Sequence, residues 1–244
     1  IIFGTTFGYL DAMAEMAEEY PDVIFLHCSG YLKNDTNFGN YFGKMYQPRY
    51  LAGLQAAEMT TSNKIGYVAA FPIPEVIRGI NAFASGVKEL NPEATVEVVW
   101  TFTWFGPEAE TQAANALLET GVDVLAQHQD SPSTGIAAEA AGARWISYNT
   151  NYGQSAAPEA YSGAPVWDWG PYYVEVVESI IDGSFTPEAY WGGMETGLVS
   201  FEKGVVGPLA DIINDVQNQI IRGEFDPPII EDRFIDNVIG TVNP

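Results

Sequence analysis

Short apolar runs and apolar stripes spaced by three or four alternate along the chain, and the alternation predicts strands and helices in turn. Runs of strand length occupy 1–3, 23–26, 64–69, 95–101, 122–126, 143–148 and 161–168. The first stripe is Leu10, Met13, Met16, Ala17 and Tyr20, ended by Pro21, since a residue before proline is pushed out of the helical region. Later stripes are Tyr50, Leu51, Leu54 and Ala57, then Val76, Ile77, Ile80, Phe83, Val87 and Leu90. Helices over 107–120 and 135–141 are stopped by Gly121 and Gly142, and two more, centred on Val176 and Ile213, by Gly183 and Gly223. Residues 29–47 read as loop, 191–201 as a glycine-rich loop and strand, and the tail from Phe225 to Pro244 as strand or coil. Strand–helix alternation through residue 150 predicts an α/β fold built on a parallel sheet covered on both faces. No composition shift marks a domain boundary.

The stretch 122–132 is the most informative. An apolar run changes abruptly into Gln127, His128, Gln129, Asp130 and Ser131 before Pro132. Ligands of open α/β sheets lie outside the carboxyl ends of the strands, so a hydrogen-bonding site is expected here. Other strand ends carry the same mixture of rings and uncharged hydrogen-bonders: Thr5-Thr-Phe-Gly-Tyr9, Phe71-Pro72 and Tyr148-Asn-Thr-Asn151, with Trp104 and Trp169 at two more. Such a set suits a flat, polar, uncharged ligand. Stacking a base on an aromatic ring is worth roughly 1–3 kcal/mol. A buried polar group left unpaired by a wrong ligand costs about 1–3 kcal/mol, which supplies selectivity.

Charge narrows the partners. The 244 residues include 10 Lys plus Arg against 32 Asp plus Glu, for a net charge of −22. Phosphate backbones are bound mainly through Lys and Arg, so nucleic acid is a poor partner, as is an anionic membrane surface. No run approaches the roughly 20 apolar residues of a membrane span. The single cysteine, Cys28, cannot form an internal disulfide and reads as a small buried residue. With two histidines there is no zinc-ligand spacing, and a P-loop and a G-x-G-x-x-G fingerprint are both missing, so neither a metal nor a cofactor is expected. His128 and Asp130, two apart on an extended segment, could be read as a base and its orienter. No nucleophile motif accompanies them, since Gly153-Gln-Ser-Ala-Ala157 breaks the G-x-S-x-G pattern. Binding rather than catalysis is the expectation, with a nucleoside-acting enzyme using His128 as the alternative. The chain opens on Ile1-Ile2-Phe3-Gly4 as though inside a strand, and its natural start is expected further upstream.

The segment Gly66-Tyr-Val-Ala-Ala-Phe-Pro-Ile-Pro-Glu-Val-Ile-Arg-Gly-Ile-Asn-Ala-Phe83 resembles the central motif of the basic membrane protein (BMP) family. These are substrate-binding proteins of ABC transporters, related to purine-nucleoside-binding lipoproteins. Thr5-Thr-Phe-Gly-Tyr9, Tyr50-Leu-Ala-Gly53, Asp123-Val-Leu-Ala-Gln-His-Gln-Asp-Ser-Pro132 and Trp169-Gly-Pro-Tyr-Tyr173 follow in the family's order, so the resemblance covers the whole chain. It implies a type I periplasmic-binding-protein fold, with two Rossmann-like α/β lobes joined by a hinge and ligand in the cleft. The first lobe would hold 1–62 with 170–190 and 205–244, and the second 63–166 with 191–204. Members carry two further strand–helix units ahead of the Thr-Thr-Phe-Gly motif, so the first lobe is expected to be incomplete.

Family motif positions place Phe7, Gly8, Gln129, Asp130 and Trp169 on the ligand. The strand-end argument adds Tyr46, Phe71, Trp104, Tyr148 and Asn149. The Asp-Ser-Pro and Trp-Gly-Pro-Tyr-Tyr segments resemble the branch linked to adenine-like nucleobases. A purine base or nucleoside is therefore the expected ligand, with a sugar as the alternative. Asp130 and Asn149 would pair with the base edge, and Phe7 and Trp169 would hold its faces. An ABC permease would be the partner, in a bacterial periplasm or at the cell surface, with membrane contact only through an upstream lipid anchor.

Overall fold

The computed structural model describes residues 1–204 and 207–240. In chain order the elements are β1 (Ile2–Gly4), α1 (Leu10–Glu19), β2 (Phe25–Cys28), β3 (Phe38–Gly43), α2 (Tyr46–Met59), β4 (Lys64–Ala69), α3 (Pro74–Leu90), β5 (Thr95–Trp100) and α4 (Pro107–Glu119). They continue with β6 (Val124–His128), α5 (Ser133–Ala140), β7 (Arg144–Ile146), β8 (Gly163–Trp167), α6 (Gly170–Asp182), β9 (Ala189–Gly192), β10 (Val199–Lys203), α7 (Ala210–Ile221) and β11 (Val238–Ile239). The described residues pack as two compact units, 1–44 with 168–199 and 45–167 with 200–204 and 207–240.

The first unit is built on a four-stranded parallel sheet in the order β1-β2-β3-β9. Helix α1 buries Leu10, Met13 and Ala17 against Phe25 and Phe38. The region 29–47, expected as loop, contains β3 and the first residues of α2. Its asparagines organise the chain. The two N–H groups of the Asn37 amide are shared among the carbonyls of Ala17, Tyr20 and Val23, each 2.8–3.1 Å from its nitrogen, and so serve acceptors at the end of α1 and in the turn after it. Asn34 Oδ1 accepts from the backbone N–H groups of Thr36, Asn37 and Phe38 and turns the chain into β3.

The second unit holds a five-stranded parallel sheet in the order β11-β5-β4-β6-β7. Its centre, β4 and β6, is buried almost throughout, as expected for parallel strands covered on both faces. Trp145 on β7 and Leu125, Leu117 and Val68 form a continuous core. Strand β6 runs to His128, so Gln127 and His128 lie within the strand rather than past its end. Strands β8 and β10 pair separately.

Helix α2 belongs with this unit. A Cβ at Gly53 would meet the carbonyl oxygen of Phe83 at 1.9 Å, and one at Gly86 that of Tyr50 at 2.1 Å. The backbones of α2 and α3 therefore touch, an approach only glycine permits. The packed units thus differ from the expected lobes: residues 45–62 group with β4 and α3, and β11 pairs with β5, where 1–62 and 205–244 are expected with the first lobe. Within that tail, 205–206 and 241–244 lie outside the described residues.

Candidate functional site

In the second unit the carboxyl ends of β4 to β7 converge on one polar and aromatic group. Phe71 follows β4, Trp104 follows β5, Gln129 and Asp130 follow β6, and Tyr148 and Asn149 follow β7. Ring centroids step from Phe71 to Trp104 at 5.5 Å, Trp104 to His128 at 5.9 Å, and His128 to Tyr148 at 4.7 Å. The Arg49 guanidinium, reaching over from α2, lies 5.0 Å from the Tyr148 ring centre. Two non-glycine residues here, Phe102 (φ 55°) and Asn149 (φ 56°), take left-handed backbone. For an aromatic residue that conformation is strained, and such residues cluster at functional sites.

A cavity of about 290 Å³ opens beside this wall, lined by Gln129, Asp130, Ser131, Tyr148, Asn149 and Tyr152 among others. Ligand pockets run upward from roughly 300 Å³, so this one suits a molecule of one or two rings. Gln127 braces the turn at its edge by donating to the carbonyls of Gln129 at 2.9 Å and Ser131 at 2.8 Å. The Trp145 indole N–H in turn holds the Gln127 carbonyl at 3.0 Å. Ser131 donates to the fully buried carboxylate of Glu110, and the Asp130 N–H donates to the Trp104 carbonyl at 2.9 Å. The loop that carries Asp130 is therefore pinned on three sides.

Electrostatics separate the groups. The Asp130 side chain is exposed; partial enclosure by protein, then the charges of Glu110 and Glu75, raise its pKa. His128 is 1 % exposed, and burial, helped by the nearby Arg49 charge, pushes its pKa down to about 4. Glu75, at the start of α3, lies 3.5 Å from His128 Nε2. Burial works to raise the Glu75 pKa, but His128, Arg49 and Arg78 outweigh it and hold it below the usual value. Burial raises the Tyr148 pKa well above 10.0, so its hydroxyl stays a donor. Among the described residues no group of His, Cys, Asp and Glu could hold a metal ion.

Six of the ten expected site residues meet here: Phe71, Trp104, Gln129, Asp130, Tyr148 and Asn149. Tyr46 does not join them. It is 2 % exposed, and its hydroxyl donates to Asp226 at 2.8 Å, tying α2 to the tail. Phe7, Gly8 and Trp169 lie in the first unit. Phe7 is 39 % exposed on a short helical turn, Phe7–Tyr9. Trp169 precedes α6, stacks on Tyr173 at 6.1 Å and meets Tyr41 edge-on at 5.2 Å. Sequence reasoning missed Arg49 and Glu75 as parts of the site. Arg49 carried a signal: a lone cation among the apolar and small residues of α2, whose type is almost never fully buried unless paired.

The model of the Bmp family, described as ABC transporter substrate-binding protein PnrA-like, matches residues 1–228. The chain belongs to this family. It is 47 % identical over 229 residues to a putative ABC transporter glucose-binding protein of Haloferax volcanii, covering 93 % of the chain and 58 % of that protein. It is 36 % identical over 239 residues to a purine-binding protein of Brucella abortus, covering 93 % and 65 %. The chain thus spans only 58–65 % of the length of these two curated relatives. A solute-binding protein of an ABC transporter system from Aeropyrum pernix superposes with a TM-score of 0.81 at 15 % identity, over 95 % of this chain and 77 % of that one. Another from Conexibacter woesei gives 0.73 at 21 %, over 93 % and 78 %. At such identities these likenesses concern the fold, and it is the solute-binding α/β fold that the family motifs imply.

Proposed function

We propose that this Bmp-family chain binds a purine nucleobase, adenine-like, or its nucleoside at the carboxyl ends of β4 to β7. In this reading it is the extracytoplasmic binding component of an ABC importer and hands its ligand to a membrane permease. The carrying observation is the run of rings from Phe71 to Tyr148 ending beside Asp130 and Asn149. Rings offer faces for stacking, and the two polar side chains offer an acceptor and a donor at the edge. The likeness to a Brucella abortus protein described as purine-binding supports the same class.

Family motif positions add Phe7, Gly8 and Trp169 to the contacts. No described helix is long and apolar enough to cross a membrane. Catalysis by His128 is disfavoured, because a general base works best with a pKa near the operating pH and this one lies near 4.

Calorimetric titration with adenine, adenosine and glucose tests the reading. Removing the charged acceptor in Asp130→Ala is expected to weaken adenine binding by roughly tenfold or more, and Trp169→Ala by about tenfold through lost stacking. Unchanged affinity in both variants would remove these roles. A second reading, a hexose, draws on the glucose-binding description of the Haloferax volcanii relative. Saturable heat with glucose and none with either purine would favour it.

A further inference from the structure

Arg49 is 4 % exposed, and no carboxylate lies within ion-pair distance of it among the described residues. Its Nη1 donates to the Tyr67 hydroxyl at 2.9 Å and its Nη2 to Asn149 Oδ1 at 3.3 Å. A guanidinium has five donors and no acceptor, so the Asn149 atom facing it must be the carbonyl oxygen. The Asn149 amide could otherwise rotate by half a turn and exchange donor for acceptor. Asn149 is also held at φ 56°, which fixes where its side chain starts. The residue is half-buried and lines the cavity. With the oxygen facing Arg49, the NH₂ group is the end left for the cavity.

We infer that Arg49 is a positioning residue for specificity: it locks Asn149 as a hydrogen-bond donor to the ligand. The inference rests on the purine reading above and deepens it. A ligand must then present an acceptor to Asn149 and a donor to the Asp130 carboxylate. Adenine offers that pair on either side of its 6-amino group, with N1 of the six-membered ring as the acceptor on one side and N7 of the five-membered ring on the other. Arg49 touches no ligand in this account. It acts through Asn149, and by its charge over Tyr148 it also steadies that ring.

The test compares adenine with 1-deazaadenine and 7-deazaadenine, each of which replaces one edge acceptor by C–H. Affinities are measured by calorimetry for the full chain and three variants. The wild type is expected to bind one of the two analogues about tenfold more weakly than adenine, the weight of one hydrogen bond left unmade. In Arg49→Met the amide is free to turn, and this ratio falls to about two or less. Tyr67→Phe removes the other partner of Arg49 and keeps the ratio, which separates the role from general loosening. Asn149→Asp keeps Arg49 in the chain, presents oxygen only, tolerates the left-handed backbone, and is expected to abolish the ratio. A ratio that survives in Arg49→Met or Asn149→Asp, or a wild type that binds adenine and both analogues equally, overturns the inference and leaves the purine reading standing. A wild type that ignores adenine and both analogues overturns the purine reading and this inference with it.

Discussion

The indole N–H of Trp145 donates to the side-chain carbonyl of Gln127 at 3.0 Å in the lining of the cavity. That bond fixes which end of the Gln127 amide faces the turn, and its NH₂ group then holds the carbonyls of Gln129 and Ser131. All these groups are buried. Gln127→Leu keeps the size of the side chain but strands one donor and two acceptors, each costing about 1–3 kcal/mol when buried without a partner. A stability loss of about 3 kcal/mol or more is expected from urea unfolding. A loss below about 1 kcal/mol, the level of an ordinary surface change, would contradict the bracing role.

Acid should weaken the fold through its histidines. His128 ionises near 6.5 when unfolded, while burial first and Arg49 second hold it down to about 4 in the folded chain. His27 is shifted the same way, chiefly by burial. The unfolded state therefore binds more protons, and the stability contributed by neutral histidine is fully present above 6.5 and lost as pH falls toward 4. Below about 4.5 the lowered Glu75 adds a loss of the same sign. Urea unfolding at pH 7.5 and pH 5.0 should show lower stability at pH 5.0, with a smaller drop in His128→Gln. An equal drop in the variant would assign the slope elsewhere.

The net charge of −22 predicts a salt response. Self-repulsion opposes the compact state, and the screening length shrinks from about 10 Å at 0.1 M salt to about 3 Å at 1 M. The melting temperature should rise with sodium chloride, by roughly 2–4 °C for each kcal/mol of repulsion relieved. A flat or falling melting temperature between 0.1 M and 1 M would show that other charge contacts dominate.

Much of this architecture is legible in the residues. The runs at 64–69 and 95–101 become β4 and β5, and the stripe from Val76 to Leu90 becomes α3, because buried parallel strands and an amphipathic helix leave strong periodic marks. Strand β3 is not legible. Its sequence, Phe38-Gly-Asn-Tyr-Phe-Gly43, mixes strand residues with glycine and asparagine, and only its place between β2 and β9 makes it a strand. The site is half legible. Rings and amides at strand ends bring forward Phe71, Trp104, Asp130, Tyr148 and Asn149. Arg49 escapes that logic, since it reaches the group from a helix, and Tyr46, brought forward by the same logic, has its hydroxyl on Asp226. Contacts across 100 residues or more, such as Arg49 with Asn149, leave no local pattern.

The most direct test of the central claim is the thermal stability of the chain against adenine, guanine, hypoxanthine, adenosine and glucose. A ligand at about 100 times its dissociation constant adds about 2.7 kcal/mol to the folded state, which corresponds to a rise of roughly 5 °C or more for a chain of this size. Adenine or adenosine is expected to raise the melting temperature and glucose is not. A rise with glucose alone, or a cooperative melt that none of the purines moves, would contradict the central claim.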